Sequence, residues 1–335
     1  MCQLNLEKIF QLLNRKIYKI MKRFIKLYSD ISPKYSLKDN TEILRWTLML
    51  PGAGCEYFKT SGGCTMCGFA SSTDKYTSGR LFWSGIFKSM YSLAEKQAGL
   101  LQSQELFIYN GGSFWNDKEI PIKFQDYLCR QVAKSNSIQR LFIENRCEFI
   151  KEDKIIKAVS LLCNKRLSIG IGLESQSDYV RNSLINKGLT KKLFEDKVKL
   201  IKNFGAEVIV YIFLKPFGLS EKEALEEALL SINYAVSLGI DEIYLSCAFV
   251  QENTKMAQEF LLGNYKPPTL WTILEIIGQI EKNNWPVQIG GFTDEPPPIA
   301  IPQNCSECSP DIYQAIEQYR RTRILGKIPD CSCKK

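Results

Sequence analysis

The chain has 335 residues, of which 45% are hydrophobic and 24% charged, so it can bury a large core and is not a disordered or fibrous protein. No apolar run is long enough to span a bilayer and charges occur throughout its first part, which predicts a cytoplasmic protein without a signal peptide. In that compartment the twelve cysteines favour metal binding over disulfides, and the lack of histidine excludes imidazole as a ligand or base. The net charge of +8 favours an acidic partner such as nucleic acid without requiring one.

Residues 1–40 are predicted to form a basic helical segment. Within residues 8–26, Ile9, Leu13 and Ile17 recur at helical spacing, and basic residues recur at the same spacing on another face. We favour a docked helix whose basic face is solvated. The alternatives are contact with an RNA backbone and, less favoured, a membrane-surface helix. The basic residues of that face are Lys8, Arg15, Lys19, Lys22 and Lys26.

Over residues 41–292, short apolar runs of β-type composition alternate with longer helical stretches. This alternation predicts a mainly parallel sheet of βα units, and six units suit a partial (β/α)6 barrel that is open on one side. The alternative is a Rossmann-type open sheet, which we disfavour because no G-x-G-x-x-G opens a helix after the first strand. In parallel barrels the loops that follow the strands build the active site. The predicted strands cover residues 43–52, 105–113, 140–146, 167–175, 208–216 and 242–251.

Three cysteines, Cys55, Cys64 and Cys67, follow the first predicted strand in a glycine-rich loop. A structural zinc site needs four ligands, and the loop offers neither a fourth cysteine nor a histidine. A 4Fe-4S cluster held by three thiolates leaves one iron open for a substrate or cofactor. We therefore predict a three-thiolate iron-sulfur cluster. A zinc site and a chance group of cysteines are the disfavoured alternatives.

The cysteine loop and the strand ends that follow it resemble the radical SAM superfamily. The landmarks are YNGGSFW, IENR and GLES, although the cysteine spacing is Cys-x8-Cys-x2-Cys where Cys-x3-Cys-x2-Cys is commonest. The resemblance implies a (β/α)6 partial barrel whose three cysteines are catalytic. Its cluster would bind S-adenosylmethionine and, with an electron from an external donor, yield a 5′-deoxyadenosyl radical. The implied cofactor contacts are Met66 for adenine; Gly111, Gly112 and Ser113 for the methionyl amino group, with Ser113 replacing the usual acid; and Glu144, Arg146 and Glu174 for ribose or carboxylate.

A narrower resemblance extends over nearly the whole chain after residue 40. The segments GGCTMCGF, INKGLT, FLKPFGLSEKEA and YKPPTLW are similar to those of the radical SAM proteins of archaeosine biosynthesis, which are related to the Elongator-type enzymes. Asn145 and Cys147 depart from the Glu-Ser-Arg-Pro pattern of that family. The resemblance implies a tRNA substrate whose 7-deazaguanine carries lysine, cleavage of a lysine C–N bond to give archaeosine, and archaeosine synthase as a partner.

Residues 293–335 are predicted to form a cysteine-rich extension with a second metal site. Two cysteine pairs separated by 22 residues offer four thiolates, which suit zinc and an auxiliary iron-sulfur cluster equally. The alternative is a set of exposed tail cysteines. Between the pairs, Arg320, Arg321 and Arg323 are expected to form a solvated helix face or, less favoured, a phosphate contact. The four cysteines are Cys305, Cys308, Cys331 and Cys333.

Two polar residues at predicted strand ends, Lys215 and Gln251, are expected either to orient the substrate or to be surface or structural polar residues. We favour a radical SAM enzyme that acts on tRNA over one that acts on a small molecule or peptide. The alternative from another class is a zinc-organised RNA-binding module without catalysis. We expect no membrane partner.

Overall fold

The described strands form one eight-stranded sheet in chain order. In this computed structural model the first two strands pair antiparallel and every later pair is parallel. The structure describes residues 29–50, 52–69, 83–99, 102–292 and 297–334. The strands are β1 (Ser29–Ser36), β2 (Thr41–Met49), β3 (Glu105–Tyr109), β4 (Arg140–Glu144), β5 (Arg166–Glu174), β6 (Glu207–Phe213), β7 (Glu242–Ser246) and β8 (Val287–Ile289).

Helices follow most of the parallel strands. α6 begins with a capping box between Ser220 and Glu223, and α5 begins with a Thr190 cap on the backbone N–H of Leu193. No helix among the described residues is long and apolar enough to cross a membrane. The helices are α1 (Glu56–Ser61), α2 (Ser84–Gly99), α3 (Ile122–Lys134), α4 (Glu152–Leu162), α5 (Lys191–Asn203), α6 (Glu221–Ser237), α7 (Lys255–Leu261), α8 (Leu270–Asn283) and α9 (Ser309–Thr322).

The predicted partial barrel is confirmed, and its six predicted strands correspond to β2 to β7. The sheet has one further strand at each edge. β1 lies within the segment that was predicted to be helical, and the predicted basic helix of residues 8–26 lies outside the described residues. The sequence of β1 shows little apolar alternation, and it contains Pro33, a residue found in sheets mainly in edge strands. Its residues are therefore not strongly inclined to form a strand. The pairing with β2 stabilises the strand.

Alternate residues of each strand face the barrel interior, because side chains of a strand point to opposite faces in turn. They form layers along the barrel axis. The layer above the strand starts is aromatic: the rings of Phe107 and Phe142 stack with centroids 4.4 Å apart, and both residues pack with Ile209 in one buried cluster. Above this layer, Tyr109 and Tyr211 bring their hydroxyl oxygens to 3.5 Å of each other.

The lowest layer, at the starts of the strands, is made of buried charges. Glu105 bridges two arginines, accepting from Arg45 Nε and from Arg140 Nη1 at 2.9 Å each. Arg140 also donates to Glu242 at 2.9 Å and lies 3.1 Å from Glu207. Burial alone would raise the pKa of Glu207, but Arg140 and its other partners lower it to about 2. These pairs link β2, β3, β4, β6 and β7 across the lumen.

We predict that Glu105→Gln destabilises the fold by about 3 to 5 kcal/mol, because it leaves two buried guanidinium groups without their shared carboxylate. Urea unfolding at neutral pH followed by circular dichroism measures this change. The control is Asp196→Asn, which makes the same chemical change in the exposed pair with Lys192 and should leave the unfolding midpoint unchanged. Equal midpoints for Glu105→Gln and the control would contradict the prediction.

Candidate functional site

A cavity of about 350 Å³ opens at the carboxyl ends of the strands, above the layer that contains Tyr109 and Tyr211. Two glycines of β5 keep the lumen open. A Cβ at Gly170 would clash with an aromatic ring of the layer below, and a Cβ at Gly172 would clash with the ammonium of Lys187. The residues that line the cavity lie at the carboxyl ends of the strands, as expected for the active site of a parallel barrel.

All three predicted cluster cysteines line this cavity. Cys55 directly precedes α1, which ends at Gly62 (φ 76°) and Gly63 (φ 74°). Glycine adopts this left-handed backbone conformation without strain, so two successive glycines can reverse the chain here. The reversal brings Cys64 and Cys67 to the same cavity as Cys55.

The chemistry of these thiols fits a metal cluster. Burial raises the pKa of Cys64, and it raises the pKa of Cys67 to about 12, so their thiolates need nearby positive charge such as a metal core. In a 4Fe-4S cluster each thiolate binds a different iron, so three thiols that line one cavity are compatible with such a cluster.

Residues 184–188, which we call the clamp segment, hold the cysteine loop in place. The backbone N–H of Thr65 donates to Ile185 O at 2.9 Å. The Nδ2 of Asn186 donates to Gly63 O at 2.8 Å, and Asn186 itself adopts a left-handed φ of 56°. The clamp segment thus satisfies backbone groups of the cysteine loop that the loop's short helix leaves unpaired.

The clamp segment also contributes Lys187, one member of an ion pair in the cavity wall. Lys187 Nζ lies 2.7 Å from Glu174 Oε1, with side chains only 13% and 8% exposed. Glu174 has a φ of 67° and follows a register shift at Gly172. Burial lowers the pKa of Lys187, but attraction to Glu174 and Cys64 outweighs it, so the pKa is raised and the ammonium stays charged.

The predicted cofactor contacts fall into two groups. Ser113 is fully buried and is not among the described residues that line the cavity; its Oγ accepts a hydrogen bond from Arg146 N at 3.1 Å. Ser113 therefore supports the turn after β4, and its role as a cofactor contact stays a prediction. The residues that do line the cavity are Met66, Gly111, Gly112, Glu144, Arg146 and Glu174.

An acid that the sequence analysis did not identify, Glu119, lies beside Gly112. Its carboxylate accepts from Ser113 N at 2.5 Å and from Glu56 N at 3.0 Å. A Cβ at Gly112 would clash with this carboxylate. Glu119 is buried, and burial raises its pKa. It ties the glycine turn after β3 to the residue that follows Cys55, so it orders two parts of the cavity at once.

The two predicted substrate residues lie in different places. Gln251 lines the cavity and is 6% exposed. Lys215 is not among the described lining residues; its Nζ lies 2.7 Å from Glu221 Oε2 at the start of α6. Tyr265 donates to the backbone carbonyl of Lys215 at 2.9 Å. The structure thus brings Gln251 to the predicted cluster and gives Lys215 a partner outside the cavity.

The four C-terminal cysteines come together before and after α9. Four neighbouring pairs of their sulfurs lie 3.5 Å apart. Four sulfurs at roughly 2.3 Å from one tetrahedral ion lie about 3.8 Å from each other, so the spacing fits a single ion. The indole N–H of Trp271 donates to Cys333 Sγ at 3.3 Å and lowers the pKa of Cys333 to about 6. The tail after α9 is thereby attached to the start of α8.

The arginines at the C-terminal end of α9 contact the barrel, so they do not form the free face that was expected. Arg320 Nε donates to Ile289 O at 3.0 Å, and Arg323 Nη1 donates to Val287 O at 2.5 Å. Both contacts fix α9 to β8. Arg321 forms a half-exposed pair with Glu42, with 3.2 Å between nitrogen and oxygen.

No protein-family model matches the chain. An uncharacterized protein, MJ0550, of Methanocaldococcus jannaschii is 30% identical over 86% of this chain and 79% of its own length. A protein named archaeosine synthase subunit beta, of Methanosarcina acetivorans, is 29% identical over 86% of this chain and 82% of its own length. A second protein of that name, of Thermococcus kodakarensis, is 25% identical over 69% of this chain and 70% of its own length, so the chain resembles archaeosine-related proteins. The fold matches that of Elp3 of Methanocaldococcus infernus, with TM-score 0.52, 14% identity, and coverage of 73% of this chain and 62% of the Elp3 chain.

We predict that Cys308→Ser removes one equivalent of bound metal and lowers the melting temperature, because a four-thiolate site that loses one ligand releases its ion and frees the tail. Elemental analysis and thermal unfolding measure the two effects. The control is Cys163→Ser, at an exposed cysteine outside both thiol groups, which should retain the metal. Unchanged metal content in Cys308→Ser would contradict a metal site at these cysteines.

Proposed function

We propose that this chain is a radical SAM enzyme that binds a 4Fe-4S cluster through Cys55, Cys64 and Cys67 and cleaves S-adenosylmethionine in tRNA modification. The observation that carries the proposal is the convergence of these three thiols on one cavity at the carboxyl ends of the strands. The archaeosine-related relatives support the choice of pathway.

When bound, a 4Fe-4S cluster and S-adenosylmethionine would supply radical chemistry for hydrogen abstraction from a substrate. The residues of the chain orient the reactants and exclude water. Gly111 and Gly112 leave backbone groups accessible at one wall, and Glu144 and Glu174 present carboxylates at the next. Met66 adds an apolar surface beside the cysteines, which suits an adenine ring. Tyr109 and Tyr211 line the base of the cavity.

The proposed substrate is a tRNA whose 7-deazaguanine carries lysine, and the proposed reaction cleaves a lysine C–N bond to leave the amidine of archaeosine. A base in a folded tRNA must leave its stack to enter a cavity of this kind. We propose that archaeosine synthase supplies the lysine-bearing tRNA and that an external one-electron donor reduces the cluster. Gln251, at the cavity wall next to Gly68, is the proposed substrate-orienting residue.

For the C-terminal site we propose zinc. The 3.5 Å spacing of its sulfurs supports a single ion over a cluster, and a four-thiolate tetrahedral site with no open position is typical of structural zinc. Its proposed role is to hold the tail against α8 and α9.

We predict that Cys64→Ala lowers the formation of 5′-deoxyadenosine to the level of a protein-free control, because two thiolates cannot anchor the cluster. The measurement is chromatography of anaerobic reactions with reconstituted protein and dithionite. Cys163→Ala serves as the matched control and should keep the activity of the unmodified protein. Full activity of Cys64→Ala would refute the assignment of the cluster ligands.

The substrate is tested separately. The reconstituted protein, incubated with tRNA that archaeosine synthase has charged with lysine, is expected to convert the modified base to archaeosine, detected by mass spectrometry of nucleosides. tRNA that lacks the lysine adduct should give no product. Cleavage of S-adenosylmethionine without any change in the modified tRNA would refute the tRNA substrate and favour a small molecule or peptide.

A further inference from the structure

Lys187 is a buried cation at the wall that carries the cluster cysteines. Its ammonium is paired with Glu174 at 2.7 Å and lies over Gly172, whose missing side chain provides the space. Both members of the pair line the same cavity as Cys64. Burial of an ion pair is costly, so a pair in this place calls for an explanation beyond stability.

The position of Lys187 relative to Cys64 is fixed by the backbone. Thr65, the neighbour of Cys64, is hydrogen-bonded through both its N–H and its hydroxyl to the clamp segment, at 2.9 Å each, and Lys187 lies in that segment. Arg146 adds a further link by donating to Lys187 O at 3.0 Å. Lys187 therefore cannot move away from the cysteine loop without breaking several hydrogen bonds.

Three charged side chains line the same cavity as Cys64: Lys187, Glu174 and Arg146. Arg146 itself lies over the ring of Tyr57 at 3.8 Å and pairs with Glu148 at 2.8 Å. Of these side chains, Lys187 is the cation that the clamp segment ties to the cysteine loop.

We propose that Lys187 is the residue that sets the reduction potential of the three-thiolate cluster, with Glu174 opposing it. Net charge near the sulfurs is one of the properties that determine the potential of a cluster. The cluster gains one electron from the external donor and no bond forms or breaks; the ammonium of Lys187 keeps its proton and stabilises the added negative charge. This inference rests on the proposed function, since it requires the cluster at these cysteines.

The test is a redox titration of reconstituted, S-adenosylmethionine-free protein, followed by electron paramagnetic resonance. Lys187→Met should shift the midpoint potential to lower values, because Glu174 then faces the sulfurs without its partner. Glu174→Gln should shift it to higher values, and Lys187→Arg should stay near the unmodified protein. The control Lys192→Met removes a charge from the exposed pair with Asp196 and should leave the potential unchanged.

Opposite shifts for Lys187→Met and Glu174→Gln would support the proposal, since a merely structural role predicts loss of iron rather than shifts of opposite sign. Equal potentials, or shifts in the same direction, would overturn it while leaving the proposed function intact. If Lys187→Met does not assemble a cluster, Glu174→Gln decides by the sign of its shift. An unmodified protein that binds no reducible cluster would overturn the proposed function and this inference together.

Discussion

The alternation of side chains along parallel strands is the constraint on which the rest of the structure depends. In β3 it places Glu105, Phe107 and Tyr109 in the lumen, one in each layer. In β4 the same period carries Arg140 to the charged layer and Glu144 to the cavity wall. A shift of register by one residue would place the buried charges against the helices and remove the cavity walls at once. The charged layer thus fixes the register that the site requires.

The sequence allowed the barrel and the cysteines to be predicted, because both leave strong local signals. The apolar runs of β3 to β7 are those of strands buried on both faces, and three cysteines close together are rare by chance. β1 left no such signal, since it becomes a strand only by pairing with β2. Glu119 and Lys187 were also missed: each lies in an irregular loop far from the cysteines in sequence, and only the folded chain brings them to the site.

Ser113 illustrates a different limit of sequence reasoning. A motif position indicates where a residue lies along the chain, but it does not say which way its side chain points. In the folded protein the Ser113 hydroxyl supports the backbone of Arg146, and the nearby carboxylate comes from Glu119, six residues further along. A carboxylate, that of Glu119, thus lies beside Ser113 in the folded protein, although the motif YNGGSFW contains no acidic residue.

The clamp segment makes the cysteine loop dependent on a distant part of the chain. Backbone groups of the loop form hydrogen bonds with Ile185 and Asn186. The backbone N–H of Met256, in α7, donates to the carbonyl of Thr65 at 3.0 Å. The loop would therefore lose these hydrogen bonds if it were moved to another protein without the clamp segment. A chimera that carries residues 52–69 into another barrel would leave these loop groups unpaired, even with every cysteine in place. A transfer of the cysteine loop into another barrel would therefore have to carry the clamp segment as well.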